Sequence, residues 1–356
     1  MSDELAIRSH RGQYTARFGT VDEWSLTGDG GEVHRYLVDA NVARLHADRL
    51  AQILHLPATV ILEATEENKS LDRIIPVIEC LVDAATRRDD VLVAVGGGIV
   101  QDITCFIAST LLRGLRWRCI PTTLLAQADS CIGSKSSINL GATKNILGTF
   151  NPPEEILIDP SFLETLGPAD LRSGIGEIIK AHVIDGPSSF AALAADFPRL
   201  MDDPGLLLEY IRSSLLIKKR FIEEDEFDRG PRNVMNYGHS FGHAIESATA
   251  FEIPHGIAVT IGMDMANHVA HARGDLHRDY RDALHQVCEA NYRGFLDVPI
   301  PEEALFDALS RDKKNVGSLA NLILPTGPNA SMAKVGVVID DELRKQCRAF
   351  LMGLGR

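Results

Sequence analysis

Apolar and polar positions in the first half of the chain alternate between the periods of strands and of helices. Short continuous apolar runs predict buried strands, and segments whose apolar residues recur every three or four positions predict helices. Strands are predicted at 35–42, 58–65, 90–98 and 116–125, and helices at 71–88 and 99–112. This βαβ alternation predicts a mainly parallel sheet with helices on both faces.

The pattern becomes helical from about Asp170 onward. Helices are predicted at 170–184, 206–225, 234–249 and 258–274. Residues 154–168, which end in Gly-Pro, have the pattern of a connector between the two halves. Because 356 residues exceed what one core usually organises, we predict two domains, 1–168 and 169–356.

Composition and charge exclude several classes of protein. A hydrophobic fraction of 45% with 24% charged residues is typical of a globular enzyme, and a net charge of −13 argues against nucleic acid or membrane as a partner. The N-terminus has no apolar core region, so a cytoplasmic protein is expected. Six cysteines without a CxxC pair predict buried, reduced thiols.

A glycine run at 96–98 separates a predicted strand from a predicted helix. Glycines there let the backbone approach a pyrophosphate, and the helix N-terminus adds a favourable dipole. The run lacks the GxGxxG spacing of the usual dinucleotide fingerprint, so a tight strand-to-helix turn is the alternative. Asp39, at a strand end, could accept a hydrogen bond from a ribose hydroxyl, although aspartate is also common in turns.

Three histidines lie close together in the second half of the chain. His239 and His243 are four residues apart and share one helical face, and His255 follows a proline. Glu177 and Lys180 share the face of another helix. One carboxylate and two imidazoles can bind a catalytic Zn²⁺ with an open position. Spacing nominates His239 and His243 but leaves His255 open, and histidines satisfied in the core are the alternative.

Basic and amide side chains recur next to glycines, where they suit a phosphate. Taken singly, each is more typical of an ordinary surface charge. The candidates are Arg113, Lys135, Asn139, Lys144, Asn145, Lys218, Arg232, Lys313 and Lys314.

About a dozen of these segments, in order, resemble the sugar phosphate cyclases, most closely the 3-dehydroquinate synthases. The segments include GGGIVQD, PTTLLAQADSCIGSK, KNILGTFNPP, GEIIK, NYGHSFGHAIE, PHG and RDKKN. The resemblance implies an α/β fold with an N-terminal Rossmann-like NAD-binding domain, followed by a mainly α-helical metal- and substrate-binding domain. It places the active site in the cleft.

The resemblance also implies a role for each matching residue. Glu177, His239 and His255 would bind Zn²⁺ or Co²⁺, and His243 would serve the substrate and proton transfer together with Lys180, Asp129 and Lys135. Substrate contacts would be Arg113, Asn145, Lys218, Arg232, Asn236 and one of Lys313 or Lys314. NAD contacts would be Asp39, Asn41, Glu66, Lys69, Gly97, Gly98, Asp102, Thr122, Thr123, Lys144 and Thr165.

The implied reaction converts a heptulosonate 7-phosphate into a carbocycle. The ring carbinol is oxidised transiently by NAD⁺, phosphate leaves by β-elimination, the ketone is reduced again, and an intramolecular aldol reaction closes the ring. In the family, the residue matching Arg113 contacts the phosphate bound by the neighbouring subunit, so a homodimer is implied.

The sequence departs from the family pattern beside the expected phosphate site. The usual GGKTG is GSKSS here, which introduces Ser134, Ser136 and Ser137, with Ser134 and Ser137 at glycine positions, and Ile257 replaces an acidic residue. A cyclase of sedoheptulose 7-phosphate or of an amino analogue is therefore an alternative. Lys218 and Arg232 favour a substrate with a carboxylate. Two further hypotheses belong to other functional classes: a metal- and NAD-dependent polyol dehydrogenase and a non-catalytic binding protein.

Overall fold

The computed structural model describes residues 3–23, 32–57, 59–141, 143–312, 315, 319–327 and 329–354. The chain forms two compact units. The first contains Met1–Leu166 and Lys219–Phe227, and the second contains Gly167–Lys218 and Asp228–Arg356.

The first unit is built on a seven-stranded sheet with the strand order β1-β2-β9-β6-β5-β3-β4. β1 runs antiparallel to β2, and the other neighbours in this sheet are parallel. The strands are β1 (Glu4–Ser9), β2 (Gly12–Phe18), β3 (His34–Asp39), β4 (Thr59–Leu62), β5 (Val91–Gly96), β6 (Arg116–Pro121), the β7 (Ile138–Leu140) and β8 (Thr143–Leu147) hairpin outside the sheet, and β9 (Glu155–Ile158).

The helices of this unit connect those strands. They are α1 (Ala40–Leu45), α2 (Ala51–Leu54), α3 (Leu71–Asp83) and α4 (Gly98–Thr110). Every residue of β5 is buried, as expected for a parallel strand covered on both faces. The predicted α/β class is confirmed.

The prediction of a connector at 154–168 is wrong for Glu155–Ile158, which form strand β9. β9 lies between β2 and β6 in the sheet, and the antiparallel pair β1–β2 extends that side. A four-residue strand is too short to show a period of its own, and only its hydrogen-bonded neighbours identify it.

The second unit is mainly helical. Its elements are α5 (Pro168–Asp185), α6 (Pro187–Asp196), α7 (Pro204–Glu224), α8 (His239–Ala248), α9 (His255–Ala272), α10 (Arg278–Tyr292), α11 (Glu302–Ser310), the hairpin β10 (Leu319–Thr326) and β11 (Ser331–Val338), and α12 (Asp341–Gly353). Fourteen of the eighteen residues of α9 are buried, so this helix is the core of the unit. α5, α8, α10 and α12 pack against it.

The segment Lys219–Phe227, which contains the end of α7 and the residues after it, belongs to the first unit. Glu223 accepts a hydrogen bond from the Arg8 backbone at 2.9 Å, and Glu226 accepts one from the His10 backbone at 2.7 Å. The compact units differ from a division at residue 168 mainly in this segment, and the roles of the two predicted domains stay a prediction. Within the described part of the chain, no helix combines the length and hydrophobicity needed to cross a bilayer.

Candidate active site

Glycines allow α5, α8 and α9 to approach until their backbones touch. A β-carbon at Gly256 would lie 1.9 Å from the carbonyl oxygen of Ser173, and one at Gly176 would lie 2.3 Å from that of Gly256. One at Gly262 would lie 2.2 Å from the carbonyl oxygen of Gly238. Such distances are far inside van der Waals contact, so this helix packing depends on the missing side chains.

Gly262→Ala should destabilise the protein although alanine is the better helix former. Alanine gains about 1 kcal/mol of helix propensity, but forcing backbones apart in a packed core typically costs about 1–3 kcal/mol, and more where backbone must move. Denaturant unfolding measures the free energy. The matched control is Gly353→Ala in α12, where nothing lies within 4 Å of the new carbon. Equal stability of Gly262→Ala and wild type would contradict the packing argument.

This packing brings one carboxylate and two imidazoles together. Oε1 of Glu177, whose side chain is 2% exposed, lies 3.7 Å from Nε2 of His239 and 3.6 Å from Nε2 of His255. The opposite ring nitrogens are engaged elsewhere, because Nδ1 of His239 lies 3.2 Å from the Tyr237 carbonyl and Nδ1 of His255 lies 3.1 Å from Glu246. Both Nε2 atoms therefore face Glu177, the orientation that metal-binding histidines adopt.

The donor atoms fit a divalent ion. Two ligands each about 2.1 Å from one ion at a tetrahedral angle lie about 3.4 Å apart, close to the separations found here. One oxygen and two imidazole nitrogens form a donor set suited to Zn²⁺ or Co²⁺. The three residues could hold such an ion and leave a position for substrate.

His243 lies beside this group. Its ring stacks on that of His255 with centroids 5.7 Å apart and meets the ring of His239 edge-on at 5.4 Å. Ligand atoms of the three histidines lie within 4.8 Å of one another, and the His243 side chain is exposed. The pair that spacing nominates, His239 and His243, and the pair that the resemblance implies, His239 and His255, thus lie at the same site. The contacts with Glu177 described above are made by His239 and His255.

Charges around Glu177 set its ionisation. Burial alone would raise its pKa, but the contacting ammonium of Lys180 and the two imidazoles hold the pKa well below its usual value. Burial lowers the pKa of His239 well below its usual value. Burial opposes protonation of His255 too, yet contacts with Glu177 and Glu246 raise its pKa to about 10. The carboxylate is therefore ionised and His239 is neutral, both ready to bind a cation, whereas His255 would release its proton on binding one.

Glu246 is a residue that the sequence analysis missed. It lies on α8 seven positions after His239 and three after His243, so helical spacing places it on the same face. That spacing was a usable signal. The structure adds that the carboxylate contacts His255 from a different helix.

The second unit also buries two of the predicted substrate-binding cations. Arg232 and Lys218 are 6% and 8% exposed. Arg232 and Asn236 belong to a short 3-10 helix, Pro231–Asn236, directly before α8, and Asn236 donates to the Asn233 carbonyl at 3.1 Å. Lys313 and Lys314 lie outside the described residues.

In the first unit, several predicted NAD contacts lie at the carboxyl ends of parallel strands, the edge where such sheets bind ligands. Asp39 ends β3, Gly97 lies between β5 and α4, Gly98 is the first residue of α4, and Thr122 and Thr123 follow β6. A β-carbon at Gly97 would meet the Thr123 methyl at 3.0 Å, so a larger residue there would crowd this edge.

A second group of predicted contacts forms one hydrogen-bonded network. Nζ of Lys69 lies 2.9 Å from Oδ1 of Asn145, 3.2 Å from Asp102 and 3.6 Å from Glu66. Lys144 lies 3.8 Å from Glu66. Burial raises the pKa of Asp102 to about 6, against the opposing charge of Lys69.

The remaining predicted residues are in separate local settings. Asn41 donates its backbone N–H to Asp39, and Thr165 contacts Nε2 of His46 at 2.9 Å. Asp129 lies in a π-helical turn formed by Ala126–Ser130. Lys135 is exposed, and its backbone forms an isolated antiparallel β-bridge with that of Phe150. Arg113 is exposed and has a left-handed φ of 69°.

Comparison with known proteins identifies the family. Residues 59–173 match the family model "3-dehydroquinate synthase N-terminal", and residues 174–315 match "3-dehydroquinate synthase C-terminal". A 3-dehydroquinate synthase of Streptococcus pneumoniae (strain JJA) is 35% identical over 302 residues, 81% of this chain and 82% of the relative. The chain belongs to the 3-dehydroquinate synthase family. The predicted resemblance to sugar phosphate cyclases is confirmed.

Solved structures of cyclases share the fold of this family member. ValA, the 2-epi-5-epi-valiolone synthase of Streptomyces hygroscopicus subsp. jinggangensis 5008 solved with NAD⁺ and Zn²⁺, is 26% identical with a TM-score of 0.82, covering 96% of each chain. A 2-deoxy-scyllo-inosose synthase solved with carbaglucose-6-phosphate, NAD⁺ and Co²⁺ has the same TM-score at 23% identity, covering 97% and 99%. The protein is thus a cyclase of the phosphate-eliminating lyase type, and the polyol dehydrogenase reading is not favoured.

Proposed function

We propose that the protein converts a heptulosonate 7-phosphate, 3-deoxy-arabino-heptulosonate 7-phosphate, into a carbocycle with release of phosphate. The observation that carries this proposal is the convergence of Glu177, His239 and His255, with exposed His243 beside them, in a chain of this family. The buried cations Lys218 and Arg232 support a substrate with a carboxylate.

The residues present fit two cofactors. Glu177, His239 and His255 would hold Zn²⁺ or Co²⁺, and the strand ends around Asp39 and Gly97 would hold NAD⁺, the pair of groups with which ValA was solved. When bound, the ion polarises a substrate oxygen as a Lewis acid, and NAD⁺ takes up a hydride and later returns it.

The protein's own side chains would position the substrate and move protons. His243 presents an exposed imidazole next to the metal-binding residues, where it can pass a proton to or from the substrate. Lys180 contacts Glu177 and keeps that carboxylate ionised. By the resemblance to the family, Lys135, Asn145 and Lys314 would be phosphate contacts, and Asp129 would assist catalysis.

Arg113 would complete the phosphate site of a neighbouring subunit, so we propose a homodimer. The residue is exposed, and its backbone and that of Leu112 both adopt left-handed conformations, with φ of 69° and 53°. Two consecutive non-glycine residues in this region are costly, which is typical of a turn held for function. Mixing inactive Arg113→Ala subunits with inactive His243→Ala subunits should restore activity.

Catalytic amounts of NAD⁺ should support many turnovers. Because the hydride is returned to the substrate, phosphate should accumulate from 3-deoxy-arabino-heptulosonate 7-phosphate without net formation of NADH. Phosphate release and NADH absorbance measured in one cuvette test this, with sedoheptulose 7-phosphate as the second substrate. NADH formed in step with substrate use would indicate a dehydrogenase instead.

A further inference from the structure

Ser137 and Asn145 contact each other at the β7–β8 hairpin. The Ser137 hydroxyl donates to Oδ1 of Asn145 at 2.7 Å, and Nζ of Lys69 donates to the same oxygen at 2.9 Å. Lys69 is a charged donor whose side chain is only 9% exposed. The carboxamide oxygen of Asn145 is therefore held by two donors, one of them cationic.

These contacts determine which way the carboxamide faces. Rotating it by 180° would place the Nδ2 hydrogens against the Lys69 ammonium, so that donors would face donors. Charge-assisted hydrogen bonds are about twice as strong as neutral ones, which makes the reversed orientation unfavourable. Oδ1 must point to Ser137 and Lys69, and Nδ2 must lie on the opposite edge.

The backbone of Asn145 is held as firmly as its side chain. It has a left-handed φ of 52°, and its N–H donates to Oδ1 of Asn139 at 2.8 Å. Asn139 is buried and donates to the carbonyl and the carboxylate of Glu66 at 3.1 and 2.9 Å. Displacing or rotating Asn145 would therefore break several of these hydrogen bonds.

Asp102 connects the two donors to each other. Its Oδ1 accepts from the Ser137 backbone N–H at 3.1 Å, and its Oδ2 accepts from Lys69 at 3.2 Å. One carboxylate thus positions both groups that fix the Asn145 amide. The serine hydroxyl is the part of this network that the family pattern, with glycine at this position, does not supply.

We propose that Ser137 is a specificity-determining positioning residue. Together with Lys69 it locks the carboxamide of Asn145 so that this residue offers only N–H donors to the substrate, which selects an acceptor oxygen such as that of a phosphate. The proposal rests on the proposed function, because it takes Asn145 as a substrate contact.

Steady-state kinetics of phosphate release test this role. Ser137→Ala should raise the KM for the heptulosonate 7-phosphate about 2- to 10-fold, the loss expected for one hydrogen bond, and change kcat less than about twofold. Ser137→Thr keeps the hydroxyl and should restore the KM. Thr143→Ala removes an exposed hydroxyl from the same hairpin and should behave as wild type. An unchanged KM in Ser137→Ala, or no rescue by threonine, overturns the proposal.

Asn145→Asp separates this proposal from the proposed function. It keeps an oxygen for Ser137 and Lys69 but replaces the donors with an anionic oxygen, so kcat/KM should fall about 30-fold or more. If kcat/KM falls in Asn145→Asp while Ser137→Ala keeps the wild-type KM, only the positioning role of Ser137 is contradicted. If wild type releases no phosphate from either sugar, the function fails, and calorimetry with inorganic phosphate decides: weaker binding by Ser137→Ala supports the role, equal binding overturns it.

Discussion

Replacing His255 with alanine should remove bound metal and activity together, whereas replacing His243 should remove activity and leave the metal in place. Nε2 of His255 faces Glu177 at 3.6 Å, and Nδ1 of His255 is held by Glu246, so this ring is built into the donor set. Losing an outer partner of a metal ligand already costs about 10- to 100-fold in affinity, so losing the ligand should cost more than about 100-fold.

Metal content by elemental analysis and metal affinity by calorimetry decide between the two histidines without relying on activity. His271→Ala is the matched control, because His271 lies near the other end of α9, sixteen residues from His255 and about 24 Å along the helix. It should keep full metal content. Full occupancy in His255→Ala with loss in His243→Ala would reverse the assignment and restore the pair that spacing alone nominates.

Arg232→Lys should lose most activity with 3-deoxy-arabino-heptulosonate 7-phosphate and little with sedoheptulose 7-phosphate, which has no carboxylate. Arg232 is 6% exposed, and a guanidinium can bind a carboxylate with two parallel hydrogen bonds. Losing such a pair in a desolvated site costs about 2–5 kcal/mol, or about 30- to several-thousand-fold in kcat/KM. Lysine cannot copy the planar fork, so it should recover little.

Kinetics with both sugars measure this difference directly. Arg229→Lys, an exposed arginine three residues earlier, is the control and should leave both activities unchanged. Equal losses with both sugars would assign Arg232 a structural role. Conversion of sedoheptulose 7-phosphate but not of the heptulosonate by wild type would show that the proposed substrate is wrong, while the cyclase chemistry would stand.

Elements with a strong pattern of their own were predictable from the sequence. β5 is a continuous apolar run that ends in glycines, so its bounds were predicted closely. α3 repeats apolar residues every three or four positions and was predicted from its correct first residue, although it ends at Asp83, five residues before the predicted end. The same holds for α5, where Glu177 lies, whereas α9 begins at His255, three residues before the predicted start at 258. Local periodicity is enough when an element is long and one face is buried.

Short strands and the exact ligand geometry required the tertiary structure. β9 has four residues, and only its pairing with β2 and β6 shows that it is a strand. The segment Lys219–Phe227 continues a helix but belongs to the first unit, because Arg8 and His10 contact it. Such long-range contacts leave no signal in a local pattern.

The candidate site shows the same division. Residue types and spacing alone nominated one carboxylate and three histidines as possible ligands, since carboxylates and imidazoles are common ligands of catalytic zinc. Which imidazole nitrogens face Glu177 was decided by packing: α5, α8 and α9 touch at glycines, and Tyr237 and Glu246 hold the outer ring nitrogens. A one-dimensional pattern records which groups are available, but the direction of each group depends on neighbours that are distant in the chain.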